Sequence, residues 1–234
     1  MISPRLNAIA QLIEGKNCVA DIGTDHGIIP IELIRSQKSE KVIATDISAQ
    51  SLMKTQKKVK LNHLEERIDM RVGDGLAPIN QNECDAIIIA GMGGLLIRDI
   101  LKDGLSKLGT AQLIVQPMNN AQFVRMMLEK IHYRIVKEIV IYERHHYYQI
   151  IFAVPGLMKI DNPIDYWIGL KSASSFTPTY SNFIEWFIKQ QEKIIKIAGK
   201  QKNTANVSRK INQTKYFIRM LKEQKEKFYT ENDC

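Results

Sequence analysis

The ten residues Cys18-Val19-Ala20-Asp21-Ile22-Gly23-Thr24-Asp25-His26-Gly27 constrain the fold more than any other stretch of this chain. They read as a short apolar strand ending in a glycine-containing turn, with helical spacing opening at once over 28–34. In an open α/β sheet, such a junction directs backbone N–H groups and the strand's carboxyl end into one crevice, where ligands bind. Nineteen positions after Gly27, a second apolar strand, Lys41-Val42-Ile43-Ala44-Thr45, ends in Asp46. A carboxylate at that distance can accept two hydrogen bonds from a ribose diol. The two features indicate a nucleoside-containing ligand and leave its identity open.

Strand-like runs recur near 17–22, 41–46, 68–73, 84–90 and 111–116. Helical patterns lie near 28–36, 48–62, 94–105 and 120–130, and one at 6–13 precedes the first strand. This alternation predicts an α/β, Rossmann-like parallel sheet covered on both faces. Ala86-Ile87-Ile88-Ile89-Ala90 is apolar at every position, as a central strand buried from both sides requires. The sheet should not end in parallel fashion, however. Two β-rich runs, 134–142 and 147–154, are joined only by Glu143-Arg144-His145-His146, too short for a crossover, so they must pair antiparallel. A final antiparallel strand is the arrangement of class I S-adenosylmethionine-dependent methyltransferases. A nicotinamide-binding fold would place a helix there.

After Pro155-Gly156 the composition changes, with Asp161-Asn162-Pro163 opening the new segment and a short helix expected over 164–170. Phe183, Trp186, Phe187, Gln190, Ile194 and Ile197 then fall on one helical face, and Val207, Ile211, Thr214, Phe217, Ile218 and Leu221 on another. The polar link between them carries Gly199, suited to a helix end. Two such helices should fold back as an antiparallel, coiled-coil hairpin. The expected division is therefore a sheet domain over 1–157 and a helical hairpin over 158–234. Charge divides the chain near the same place. From Lys171 onward 13 Lys and Arg face 6 Asp and Glu, whereas residues 1–170 hold 20 against 19. A cationic hairpin suits a polyanion such as RNA, because each neutralised phosphate releases counterions; a merely solvated face is the alternative. Lys200, Lys202, Arg209, Lys210 and Arg219 are the candidate RNA-contacting groups, with Arg5 on the first helix as a phosphate contact beside the pocket. No stretch is long and apolar enough to span a bilayer, and the first residues lack a signal peptide's apolar core. Three cysteines, Cys18, Cys84 and Cys234, match neither a disulfide framework nor a metal site. A reducing cytoplasm and no membrane partner are expected.

Two more glycine-rich turns sit at strand ends: Gly73-Asp74-Gly75, and Ala90-Gly91-Met92-Gly93-Gly94. With Asp21-Ile22-Gly23-Thr24-Asp25-His26-Gly27, Asp46 and Gln116-Pro117, the set closely resembles the bacterial tRNA (adenine(22)-N1)-methyltransferase family, over nearly the whole chain. The resemblance implies S-adenosylmethionine as cofactor, tRNA as substrate and a basic C-terminal hairpin. It also implies a cofactor pocket of Asp21, Gly23, Thr24, Asp25, His26, Asp46, Ile47, Asp74, Gly75, Gly91, Met92 and Gly93. Asp25, His26, Gly91 and Met92 stand nearest the chemistry. Asp25 occupies the place of a second glycine in the common methyltransferase turn, a departure the family shares.

Each acid has a plainer alternative: Asp21 as a brace for backbone amides, Asp46 as a helix N-cap. Tyr142, Tyr147, Tyr148, His145 and His146 suit either base stacking or cross-strand packing. No metal is expected, and the protein is expected to act as a monomer or weak dimer. Other readings of the whole remain open: methylation of another RNA base, an NAD-dependent oxidoreductase that would use Asp46 equally well, or an RNA-binding module without activity.

Overall fold

The computed structural model describes residues 2–174, 177–200 and 204–230, with side chains through residue 226. Seven strands form one sheet: β1 (Lys16–Ile22), β2 (Ser39–Asp46), β3 (Ile68–Val72), β4 (Ala86–Met92), β5 (Gln112–Pro117), β6 (Tyr133–Glu143) and β7 (His146–Pro155). Their order is β3-β2-β1-β4-β5-β7-β6. The first five run parallel, and β7 enters antiparallel between β5 and β6. Parallel strands cannot be joined by a hairpin, and helices supply most of the crossovers. These are α2 (Ile28–Arg35) from β1 to β2, α3 (Ala49–Leu61) from β2 to β3, α4 (Gly94–Asp103) with the single turn α5 (Leu105–Leu108) from β4 to β5, and α6 (Ala121–Lys130) from β5 to β6; β3 reaches β4 through residues 73–85 without a helix. α1 (Pro4–Gln11) precedes the sheet, capped by the Ser3 hydroxyl with Pro4 in its first turn. The helix expected over 94–105 is thus broken at Gly104. A Cβ there would come within 2.5 Å of the Leu76 side chain.

The central strand behaves as its composition demands. Ile87 and Ile89 of β4 join a core with Ile97 and Leu101 of α4 and Val124 and Leu128 of α6. Ala86 and Ile88 point into a second core with Ile9 of α1, Leu33 of α2 and Val59 of α3. Cys18 and Cys84 sit on neighbouring strand starts with their Sγ atoms 3.7 Å apart, as unbridged thiols. Cys234 lies outside the described residues.

Beyond the sheet come α7 (Asp165–Ile168), α8 (Pro178–Ala198) and α9 (Ala205–Thr230). α8 and α9 pair antiparallel, with the Lys225 ammonium bonded to Glu185. Phe183, Ile184, Ile188, Ile218 and Leu221 bury a third core that also takes in Ile164, Ile168 and part of Tyr147. Of the expected α9 stripe, Phe217, Ile218 and Leu221 enter this core while Val207, Ile211 and Thr214 stay half-buried, and the stripe of α8 rotates. Ile194 and Ile197 are 37% and 63% exposed, while Ile184, Ile188 and Ala198 are buried. The first half of α8 is covered by α7 and the sheet hairpin as well as by α9, so its buried arc centres on Ile184 and Ile188.

One buried cation ties the helical segment to the sheet. Arg125 of α6, 1% exposed, donates to Glu138 Oε1 of β6 at 2.8 Å, to Gln149 Oε1 of β7 at 2.6 Å and to the carbonyl of Tyr166 at 2.8 Å. The other oxygen of Glu138 accepts the N–H of Leu170, and its own N–H donates to the carbonyl of Ala173. The pair therefore satisfies backbone groups of the 166–173 connection as well as itself. Removing one partner leaves a charge buried without compensation. Arg125→Met should lower the unfolding free energy by about 3–5 kcal/mol. Urea titration reads the loss, and adding Glu138→Gln should recover part of it.

Candidate active site

Four loops meet at the carboxyl edge of the sheet because the register brings the strand ends together. Ile22 pairs with Thr45 on one side and Ile89 on the other, and Asp46 pairs with Val72. The first loop is pinned to β2 by the Thr24 N–H, which donates to the carbonyl of Thr45 at 2.8 Å. His26 and Gly27 take left-handed φ values of 58° and 62° to turn the chain into α2. The fourth loop is a backbone device. β4 bulges between Ala90 and Met92, with Gly91 at φ 79°. Gly94 opens α4 so close to the β5–α6 loop that a Cβ would lie 2.3 Å from the carbonyl oxygen of Asn120 and 2.6 Å from that of Asn119. Any side chain at 94 would push α4 off that loop.

Between the first and fourth loops lies a cleft of about 250 Å³. It brings together five of the expected cofactor-pocket residues, Asp21, Gly23, Asp25, Gly91 and Met92. Arg5 and Leu6 of α1, Ile28 and Ile29 of α2, Ala90 and Met118 complete the lining. The Met92 methyl lies 2.1 Å from where a Cβ on Gly23 would stand, so the bare glycine makes room for the methionine. Asp21 is 5% exposed. Burial pushes its carboxyl up to about 6, against the opposing pull of the Thr24 hydroxyl. Asp25 and His26 form a pair 3.3 Å apart, with the Asp25 side chain largely in solvent and His26 half-buried.

The remaining expected pocket residues flank this cleft and do not line it. Asp46 is half-buried and its Oδ1 accepts the N–H of Ser48 at 2.8 Å. Ser48, not Asp46, is the N-cap of α3, so the acid braces the cap. Its second carboxylate oxygen is hydrogen-bonded to no described residue. The N–H of Gly73 donates to the carbonyl of Asp46 and sets the third loop beside it. Asp74 and Gly75 line a separate depression of about 290 Å³ with Leu96 and Ile100. Ile47 is exposed and Gly93 half-buried as the N-cap of α4. A larger groove of about 910 Å³ runs along β2 and β3 and contains none of these loop residues. Among the described residues no group of three or more His, Cys, Asp or Glu is placed to hold a metal ion.

The cationic candidates separate into two kinds. Lys200, Arg209 and Lys210 are exposed on the hairpin, as is Arg219, which lies 3.6 Å from Glu223 and over the Tyr216 ring. Lys202 lies outside the described residues. Arg5, by contrast, is inside the cleft. The hairpin tyrosines also divide. Tyr142 and Tyr147 are a cross-strand pair with ring centroids 4.8 Å apart, and Tyr147 packs on Trp186 of α8 at 5.6 Å. Tyr148 lies under the Arg5 guanidinium instead. Sequence reasoning missed Leu6, Ile28, Ile29 and Met118 as lining residues. Gln116-Pro117, at the end of β5, was the available signal for Met118.

The sheet order, with β7 antiparallel beside β5, is that of methyltransferases and not of nicotinamide-binding folds. A family profile described as "Methyltransferase domain" matches residues 2–151. The tRNA (adenine(22)-N(1))-methyltransferase of Bacillus subtilis is 36% identical over 156 residues, 66% of this chain and 66% of that relative's own length. The crystal structure of the B. subtilis m1A22 tRNA methyltransferase TrmK superposes with a TM-score of 0.85 at 27% identity, covering 95% of this chain and 98% of that one. The structure of M. capricolum TrmK in complex with S-adenosyl-homocysteine gives 0.84 at 27% identity, covering 97% and 98%. The chain belongs to the methyltransferase-domain family, in its TrmK-like branch.

Proposed function

We propose that this protein transfers the methyl group of S-adenosylmethionine to N1 of adenine 22 in tRNA. The observation that carries the reading is the cleft between the β1 and β4 loops, in a chain whose fold matches TrmK structures over nearly its full length. The residues there fit the cofactor. A buried carboxyl whose pKa is pushed up to about 6, with no counter-cation bonded to it among the described residues, suits a ligand that brings its own positive charge. Asp46 keeps one oxygen for a ribose diol, and Asp74 with Gly75 borders the next loop, where an adenine ring would lie. Asp21, Gly23, Thr24, Asp25, His26, Asp46, Ile47, Asp74, Gly75, Gly91, Met92 and Gly93 would hold it. When bound, it supplies an electrophilic methyl group on a sulfonium.

Adenine N1 carries an in-plane lone pair, free at neutral pH once its base pair opens. No strong base is needed, so holding the ring in line contributes most of the rate gain. Gly91 and Gly93, on either side of Met92, add no side-chain bulk at the end of β4, which gives a base room to approach by its ring edge. The ring becomes cationic on methylation, and Asp25, with its His26 partner, stands at the cleft to screen that charge. Extruding the nucleotide costs roughly a few kcal/mol. Grip on the RNA backbone by Lys200, Lys202, Arg209, Lys210 and Arg219 offsets that cost. In this reading residues 1–157 carry the chemistry and 158–234 the RNA grip. The protein works in the cytoplasm, where tRNA is, as a monomer or weak dimer.

Incubating unmodified tRNA with the protein and S-adenosylmethionine should produce reverse-transcription stops at adenine 22. Stops at another adenine would redirect the target, and none on any tRNA would end the assignment. Asp46→Ala should weaken S-adenosyl-homocysteine binding by calorimetry about 10- to 100-fold, the loss of charge-assisted bonds to the diol. Wild-type affinity would remove Asp46 from the pocket. The raised Asp21 carboxyl means the free protein holds a proton below about pH 6, and a cationic ligand must displace it. Binding should therefore tighten as pH rises from 5 to 7, and Asp21→Asn should flatten that dependence.

A further inference from the structure

One wall of the cleft comes from none of the cofactor loops. Arg5 lines it, and its guanidinium is fixed by two neighbours while its backbone is fixed by a third. Nη1 donates to Gln116 Oε1, and Cζ lies 5.2 Å from the centroid of the Tyr148 ring. The backbone N–H of Arg5 donates to Glu143 Oε2 at 2.9 Å. Gln116 is wholly buried, and its amide nitrogen is committed to the carbonyl of Pro117 and the sulfur of Met118. Among the described residues its amide oxygen serves the guanidinium alone. Nη1 also lies 3.8 Å from where a Cβ on Gly91 would stand, so the cation is set against the end of β4. A cation that only needed solvation would require none of this bracing. The rest of the wall is apolar: Leu6, Ile28, Met92 and Met118. Such walls suit the faces of a flat ring better than a phosphate.

We propose that Arg5, braced by Gln116 and Tyr148, binds the target purine and fixes its orientation for methyl transfer. Its remaining N–H groups donate to a ring-nitrogen acceptor on the edge away from N1. The inference rests on the proposed function and adds the seat of the base. The polarity of the cleft sets the orientation. The acids come from the end of β1 (Asp21) and from the loop after it (Asp25), whereas the cation Arg5 comes from α1. In the transfer, the N1 lone pair forms the new N–C bond while the C–S bond breaks with its electron pair passing to sulfur, so positive charge moves onto the ring. A guanidinium at the N1 edge would oppose that charge, and at the distal edge it opposes it least. The reacting edge therefore turns toward the acids and the accepting edge toward Arg5. A phosphate role, which the residue's charge alone suggests, fits the exposed cations of the hairpin better.

Steady-state methylation of tRNA by Arg5→Ala and Arg5→Lys tests this, alongside S-adenosyl-homocysteine affinity, tRNA affinity at fixed salt and melting temperature. Arg5→Ala should lower kcat/KM about 10- to 100-fold while both affinities stay within about threefold of wild type. Arg5→Lys keeps the charge but not the planar fork, and should recover only a minor part of the loss. Tyr148→Ala should follow Arg5→Ala. Cofactor-product affinity falling in step with activity would make Arg5 a cofactor ligand and overturn the inference. Unchanged kcat/KM with a lowered melting temperature would make it a mere anchor for α1 and overturn it too. A wild-type protein inactive on every tRNA would instead sink the functional reading, whereas active wild type beside an equally active Arg5→Ala sinks this inference alone.

Discussion

Everything on the target side of the molecule depends on the turn at Arg144 and His145. With only two residues between β6 and β7, both must take left-handed φ, here 50° and 67°, as the tightest hairpin turns require. Neither is glycine, asparagine or aspartate, so the turn costs on the order of 1–2 kcal/mol per residue. The hairpin it closes repays that cost through a long ladder, from Tyr133↔Pro155 to Glu143↔His146. Because successive side chains point to opposite faces, the same strand delivers Tyr147 to Trp186 of the helical hairpin and Tyr148 to Arg5 of the cleft. A slip of one residue would exchange the two faces and dismantle both contacts.

The Arg125–Glu138 pair is the second determinant, and it acts through specificity more than through net stability. Two ions taken out of water lose hydration that their attraction only partly returns. The geometry nevertheless uses nearly every hydrogen-bonding position of both groups, on Gln149, on the carbonyl of Tyr166 and on the N–H of Leu170. An apolar replacement would satisfy none of these backbone groups. The connection from sheet to helices is thus held in one path, and α7 and α8 start from a fixed point.

Much of this was legible in the sequence, because the strongest signals are local. The β1 turn, the all-apolar β4 and the impossibly short β6–β7 link each admit one backbone solution, and the sheet follows from them. The loop acids were legible as a set because strand ends must share an edge. Three things were not. Periodicity on α8 pointed to Ile194 and Ile197 as buried, since a helical stripe says nothing about which neighbours cover each end. Asp46 bracing Ser48, with Ser48 as the cap, depends on side-chain distances that spacing does not encode. The bond from Arg5 to Gln116, 111 residues away, is the third, because nothing in the neighbourhood of Arg5 along the chain announces it.

The uneven distribution of charge has a mechanical corollary. A body with 20 basic and 19 acidic residues feels little torque in the field of a polyanion, while an arm with 13 against 6 is drawn toward it. The field reaches about 10 Å at 0.1 M salt, so turning happens within the last nanometre of approach. An encounter with any polyanion is thereby biased to begin at the arm, and a nearly neutral body arrives second, little held by the polyanion's field.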